Sequence, residues 1–163
     1  MFLSGYYPVL AFPPARQSRA LAESFEQKQE ITAQSFPQPV SLPHSGYLST
    51  KFSRWHPGID IAAGLGVSVY PVNPGTVERV SVSWWGLGNN VIISHPNGFR
   101  STYGHLGKIF VKAGQEINSE TALAEVGVSG NTSGPHTHLE IQKDGKSINP
   151  ADLLPEIPPL PKL

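Results

Sequence analysis

The chain has 163 residues, Lys+Arg and Asp+Glu are balanced at 12 each, and charged residues make up only 15% of it. That length suits one domain with a leader or tail, and the absence of a global basic field argues against nucleic acid or anionic lipid as a partner. Cysteine is absent, so disulfides and thiolate metal sites are excluded, and any metal must be held by nitrogen and oxygen ligands.

The first stretch, MFLSGYYPVLAFPPARQ, is mildly apolar, but it has no positive start and Pro8, Pro13 and Pro14 interrupt it, so no signal peptide is evident. No apolar run reaches the roughly 18 residues that a membrane span requires. Residues 18–34, SRALAESFEQKQEITAQ, hold helix formers with a thin apolar stripe of Leu21, Phe25 and Ile31. The leader is therefore expected to be irregular or partly helical. A Pro-rich connector, FPQPVSLPHSG (36–46), follows, and His44 within it reads as solvated.

The character then changes. Short β-prone runs recur as VSVY (67–70), TVERVSVSW (76–84), NNVIISH (89–95), FRSTYGHL (99–106), KIFV (108–111), TALAEVG (121–127) and HTHLEI (136–141). Turn residues separate them at Asn73-Pro74-Gly75, Pro96-Asn97-Gly98, Ala113-Gly114 and Asp144-Gly145. No helical pattern lies between these runs, so βαβ units are disfavoured, and NVIISHPNGFRSTY reads as a hairpin around an HPNG turn. The expected fold is all-β, a single domain of antiparallel sheets with short turns. The boundaries are 1–45 for leader and connector, 46–154 for the domain and 155–163 for a Pro-rich, extended tail.

The histidines carry the chemistry, and there are only 6. In RWHPGIDIAAG, His56 and Asp60 would lie about 13 Å apart in an extended strand, too far to share an ion. A turn at Pro57-Gly58 could bring them together. In PHTHLE, His136 and His138 project from one strand face about 7 Å apart, with Leu139 and Ile141 on the other. Both could bind a metal, or one could bind while the other works beside it. His105 gains meaning only by converging with these two segments, while His95, before the HPNG turn, reads as structural.

Three segments, HPGID, GLGNNVIISHPNGFRSTYGHL and GVSGNTSGPHTHLEI, resemble in this order the lysostaphin-type (LytM-type) zinc endopeptidases of bacterial peptidoglycan, from Gly46 to Pro150. The combination of H-x-x-x-D, Y-x-H-L and G-P-H-x-H-x-E-I is specific. The resemblance implies one zinc ion held by His56, Asp60 and His138, with His105 and His136 as the catalytic histidines. Gly104, Thr137 and Leu139 depart from the family's usual residues without touching a ligand. Such a ligand set leaves a position open, as a catalytic zinc requires, and the two further imidazoles suit general-base and oxyanion duties.

Around these, Glu140 alternates onto the histidine face and could support a histidine from behind. Tyr103 is a candidate for hydrogen bonding to substrate, with packing as its alternative. Trp84 and Trp85 could line the cleft rim, the alternative being one buried and one exposed aromatic on a strand. The implied activity is hydrolysis of peptide bonds in the stems or cross-bridges of peptidoglycan by a monomer in the cell envelope, periplasmic or extracellular. A catalytically silent relative that binds wall or regulates another hydrolase is the competing reading. A cupin-like oxygenase fits worse, because no histidine follows His138 and HPGID is left unexplained.

Overall fold

The structure is a computed structural model, which describes residues 36 and 40–161; the helical reading of residues 18–34 lies outside them. Among the described residues ten strands follow in chain order: β1 (Tyr47–Thr50), β2 (Ile59–Ala62), β3 (Ser68–Val69), β4 (Gly75–Ser81), β5 (Asn89–Ser94), β6 (Phe99–Ile109), β7 (Glu116–Ile117), β8 (Ala124–Val126), β9 (His136–Lys143) and β10 (Lys146–Ile148). The main path runs β1-β2-β9-β6-β5-β4-β7, with β10 on β9, and β8 bridging β3 and β6. Every strand pair is antiparallel. Among the described residues, helix is limited to single 3-10 turns at Pro96–Gly98 and Pro150–Asp152. The expected all-β antiparallel architecture is therefore what forms.

The HPNG turn does close the β5–β6 hairpin, with Asn97 at φ 59° and Gly98 at φ 74°. The β9–β10 hairpin turns at Asp144 and Gly145, at φ 49° and 78°. Asn, Asp and Gly are the residues that tolerate this left-handed backbone.

Strand β9 lies in the interior of the sheet. It pairs with β6 along one edge, and with β2 and then β10 along the other. Its alternation divides two environments. Thr137, Leu139 and Ile141 are fully buried against Ile59, Ile61 and Tyr103, where each large apolar side chain contributes about 1.5–3 kcal/mol. His136, His138 and Glu140 occupy the opposite face.

Several local expectations change. The FRSTYGHL and KIFV runs join in one long strand, β6, whose pairing shifts register against β5 and β8. Residues 82–84 fall outside β4. The strands β1, β2, β7 and β10 have no counterpart among the expected runs, being too short to show alternation. The Pro-rich flanks pack as well. Phe36 stacks edge-on against Phe99 at 4.6 Å, the Leu48 N–H donates to the Pro158 carbonyl at 2.8 Å, and Ile157 is buried. Apolar residues between prolines find sheet surface to cover.

His44 is buried rather than solvated, with Nδ1 bonded to the Ser45 carbonyl and Nε2 2.9 Å from Thr137 Oγ1. His95 is structural as expected. Its Nδ1–H donates to the Pro74 carbonyl and its Nε2 meets Ser101 Oγ, each at 2.8 Å.

Candidate functional site

Sheet register builds the first part of the site. In the β2–β9 ladder Asp60 stands directly opposite His138, and direct cross-strand partners share a face at close range. His138 Nδ1 lies 2.8 Å from Asp60 Oδ1. His56 arrives from the loop before β2. A tight turn is closed by backbone bonds between Ser53 and His56 at 2.9 and 3.2 Å, and a bend at Pro57-Gly58 brings His56 Nε2 to 3.1 Å from the same Asp60 oxygen. Glycine is required at 58, since a Cβ there would stand 2.4 Å from the Leu139 carbonyl oxygen.

His56, Asp60 and His138 each offer one ligand atom, all within 4.8 Å of one another, and together they could hold a metal ion. The donor chemistry fits a divalent cation. His136 Nε2 also lies 3.6 Å from Asp60 Oδ1, so three imidazoles crowd one carboxylate oxygen. Their lone pairs repel unless a proton or cation is shared between them. A nitrogen and oxygen set suits zinc, whose bonds of about 2.0–2.2 Å place tetrahedral ligand atoms roughly 3.3 Å apart.

The cage is braced from outside. Glu140 Oε1 is 3.1 Å from His138 Nε2, and the Thr50 side chain hydrogen-bonds the Asp60 carboxylate. Burial works against charge on His138, but the Asp60 and Glu140 carboxylates outweigh it and push its pKa up to about 9. Burial likewise disfavours the Asp60 carboxylate, yet its bonds to His138 and Thr50, with the neighbouring imidazoles, bring it down to about 2.

His105 joins through a backbone departure. It follows Gly104, the residue of β6 that faces His138, so plain alternation would turn it inward beside Tyr103. Its φ of 58° is left-handed and unusual for a side chain of this size. It brings the ring out to 4.8 Å from His136 and 6.0 Å from His138. The His105 Nδ1–H donates to the Ser129 carbonyl at 2.8 Å, and the His136 Nδ1–H donates to the Gly134 carbonyl at 2.9 Å. In these tautomers Nε2 is the basic nitrogen of each ring. Burial, then the neighbouring histidines, hold the His105 pKa below the usual histidine value despite the Ser129 bond, which keeps it neutral near pH 7.

All five residues line one cleft of about 390 Å³, together with Gly86, Leu87, Asn131 and Ser133. Tyr103 is not in it. Its side chain is fully buried and its hydroxyl accepts the Val72 N–H at 2.8 Å, so packing, not substrate contact, is its place. Trp84 and Trp85 are both exposed, and neither lies on a strand. Sequence reasoning passed over Thr50, Ser129, Leu87 and Trp55. A signal for the Ser129 contribution existed in GLGNN and GVSGN. Gly88 and Gly130 pack backbone to backbone, and a Cβ on either would come within 2.3 Å of the other loop.

Residues 54–150 match peptidase family M23. The chain is 35% identical over 100 residues to the peptidoglycan DD-endopeptidase ShyA of Vibrio cholerae, covering 61% of this chain and 23% of that protein. It is 35% identical over 99 residues to the murein hydrolase activator NlpD of Escherichia coli, covering 61% of this chain and 26% of the relative. Among solved structures, the catalytic domain of the prophage-encoded M23 protein EnpA from Enterococcus faecalis aligns with a TM-score of 0.56 and 32% identity, covering 71% of this chain and 92% of that one. The first curated relatives are longer proteins, of which the chain spans 20% to 39%.

Proposed function

The chain belongs to peptidase family M23, and we propose that it is a zinc-dependent endopeptidase that hydrolyses peptide bonds in the stems or cross-bridges of bacterial peptidoglycan in the cell envelope. The observation that carries this reading is the convergence of His56 Nε2 and His138 Nδ1 on Asp60 Oδ1 with two further imidazoles beside them.

His56, Asp60 and His138 would hold one zinc ion. When bound, zinc supplies a Lewis acid that acidifies water and polarises a carbonyl. His105, neutral and anchored through Nδ1, presents Nε2 as a base able to take a proton from water. His136, anchored on the Gly134 carbonyl, can donate from Nε2 once protonated, towards the carbonyl oxygen as it gains charge or towards the departing amine. Leu87 and the 129–133 loop form the walls that fix a peptide against these groups.

The likeness to a murein hydrolase activator favours the silent wall-binding module as second reading, and an intact cage with both extra histidines counts against it. The deciding experiment is digestion of purified peptidoglycan with mass spectrometry of the products and metal analysis of the protein. His138→Ala should lose zinc and product together. His136→Ala should keep zinc and lose product by a factor of about 100 or more. Product release that survives chelation and both substitutions would refute the reading.

A further inference from the structure

The chain has 3 tryptophans; each lies outside the strands within two residues of a cleft-lining residue, and none is packed in the core. Trp55 is 85% exposed, Trp84 88% and Trp85 79%. Connectivity places them at the rim. Trp55 precedes the cleft residue His56, and Trp85 precedes the cleft residue Gly86, so each backbone lies about 3.8 Å from the wall.

Their exposure is built into ordered loops. Ser53 Oγ accepts the Trp55 N–H, and the Arg54 guanidinium sits 5.1 Å from the Trp55 ring centre. On the other loop, Ser83 Oγ accepts the Trp85 N–H at 3.1 Å. The Gly88 N–H donates to the Trp85 carbonyl at 3.0 Å, and the Asn131 N–H donates to the Gly86 carbonyl at 2.8 Å. Indoles gain much from burial, so holding three in water beside one cleft points to a ligand.

The surroundings select its chemistry. Polar residues accompany the tryptophans in the chain, Ser53 and Arg54 before Trp55 and Ser83 before Trp84, and Asn131 lines the cleft. Flat π faces therefore stand beside hydrogen-bonding groups instead of in a continuous apolar run. A pyranose ring has the matching form, with an apolar C–H face for the indole and hydroxyl or acetamido groups at its edge. The substrate of the proposed reaction carries its peptides on strands of such rings. We propose that Trp55, Trp84 and Trp85 form a saccharide-stacking platform that holds the glycan strand at the rim while its peptide enters the cleft. The choice of ligand rests on the peptidoglycan reading, but binding does not require that any bond be cut.

The test uses the full chain and soluble oligomers of N-acetylglucosamine. Because the platform contains every tryptophan, its fluorescence reports ligand with no background from the core. A saturable change in emission is expected, and calorimetry should show at least tenfold weaker binding for Trp84→Ala/Trp85→Ala and for Trp55→Ala. Tyrosine substitutions, which keep a flat ring, should recover part of the loss. In hydrolysis, the alanine variants should lose activity on whole sacculi at least tenfold relative to a glycan-free stem peptide. Absence of saturable binding, or an equal loss on both substrates, would overturn the platform. If neither substrate is cut by the parent chain, the endopeptidase reading fails while the oligosaccharide titration still decides the platform.

Discussion

His105 and Tyr103 are two residues apart in β6, yet the structure sends them to different worlds. Tyr103 is fully buried, and burial pushes its pKa up to about 12. His105 escapes the same face through a single left-handed φ, a strain of the kind that concentrates where a side chain must be aimed. Glu140 shows the finer side of residue-scale design. Glu140 Oε1 lies 3.1 Å from His138 Nε2, and under the proposed zinc reading a carboxylate so placed would raise the basicity of the imidazole and fix its orientation. Glu140→Gln keeps the shape and removes the charge. Zinc affinity, measured by competition with a chromogenic chelator, should fall by about 10–100-fold. Unchanged affinity would show that Glu140 merely packs.

At the scale of elements, β9 presents its two histidines to the cleft only if its other face is fixed. Thr137, between them, is fully buried and is where the chain departs from the usual leucine of the family it resembles. Its hydroxyl meets His44 Nε2 across 93 residues of sequence. A buried polar pair is costly to break one side at a time and nearly neutral to replace as a pair. Thr137→Val and His44→Leu should each destabilise by about 1–3 kcal/mol, and the double variant by clearly less than their sum, read from urea midpoints in a double-mutant cycle. Strict additivity would mean that the contact contributes nothing. This pair also marks the limit of reading elements from sequence. The runs that became β5, β6 and β9 were legible because alternation and turn residues are local signals. Strands of two to four residues such as β2 and β7 exist because a neighbour pairs with them, and His44 could not announce a partner in another segment. The grouping of His56, Asp60 and His138 came from the family resemblance, because the spacings H-x-x-x-D and H-x-H alone left open which histidine of the pair joins Asp60. The β2–β9 register sets Asp60 opposite His138 and not His136.

For the molecule as a whole, the buried polar groups set how stability depends on pH. His95 joins the Pro74 carbonyl to Ser101, whose hydroxyl lies 3.1 Å from Tyr103 Oη, which in turn accepts the Val72 N–H. The chain of bonds crosses the core beside the rings of Phe36 and Phe99. Burial lowers the pKa of His95, with the Pro74 bond opposing, and burial lowers that of His44, with the Ser45 bond opposing. Above about pH 6.5 both imidazoles are neutral in the folded and unfolded chain alike, and no pH dependence arises from them. Below it the unfolded chain takes up protons that the folded chain refuses, so stability falls with pH until the folded groups also protonate. Asp60 adds no slope above pH 5, since it is ionised in both states there. His138 works the other way, since its raised pKa of about 9 adds stability as pH falls towards 6.5. The part played by His95 is therefore read as a difference between parent and variant urea midpoints from pH 7.5 to pH 5. As pH falls across that range the parent should lose stability relative to His95→Gln, which cannot titrate, because the comparison cancels every other group. A variant slope equal to that of the parent would mean that the His95 network opens and protonates without resisting unfolding.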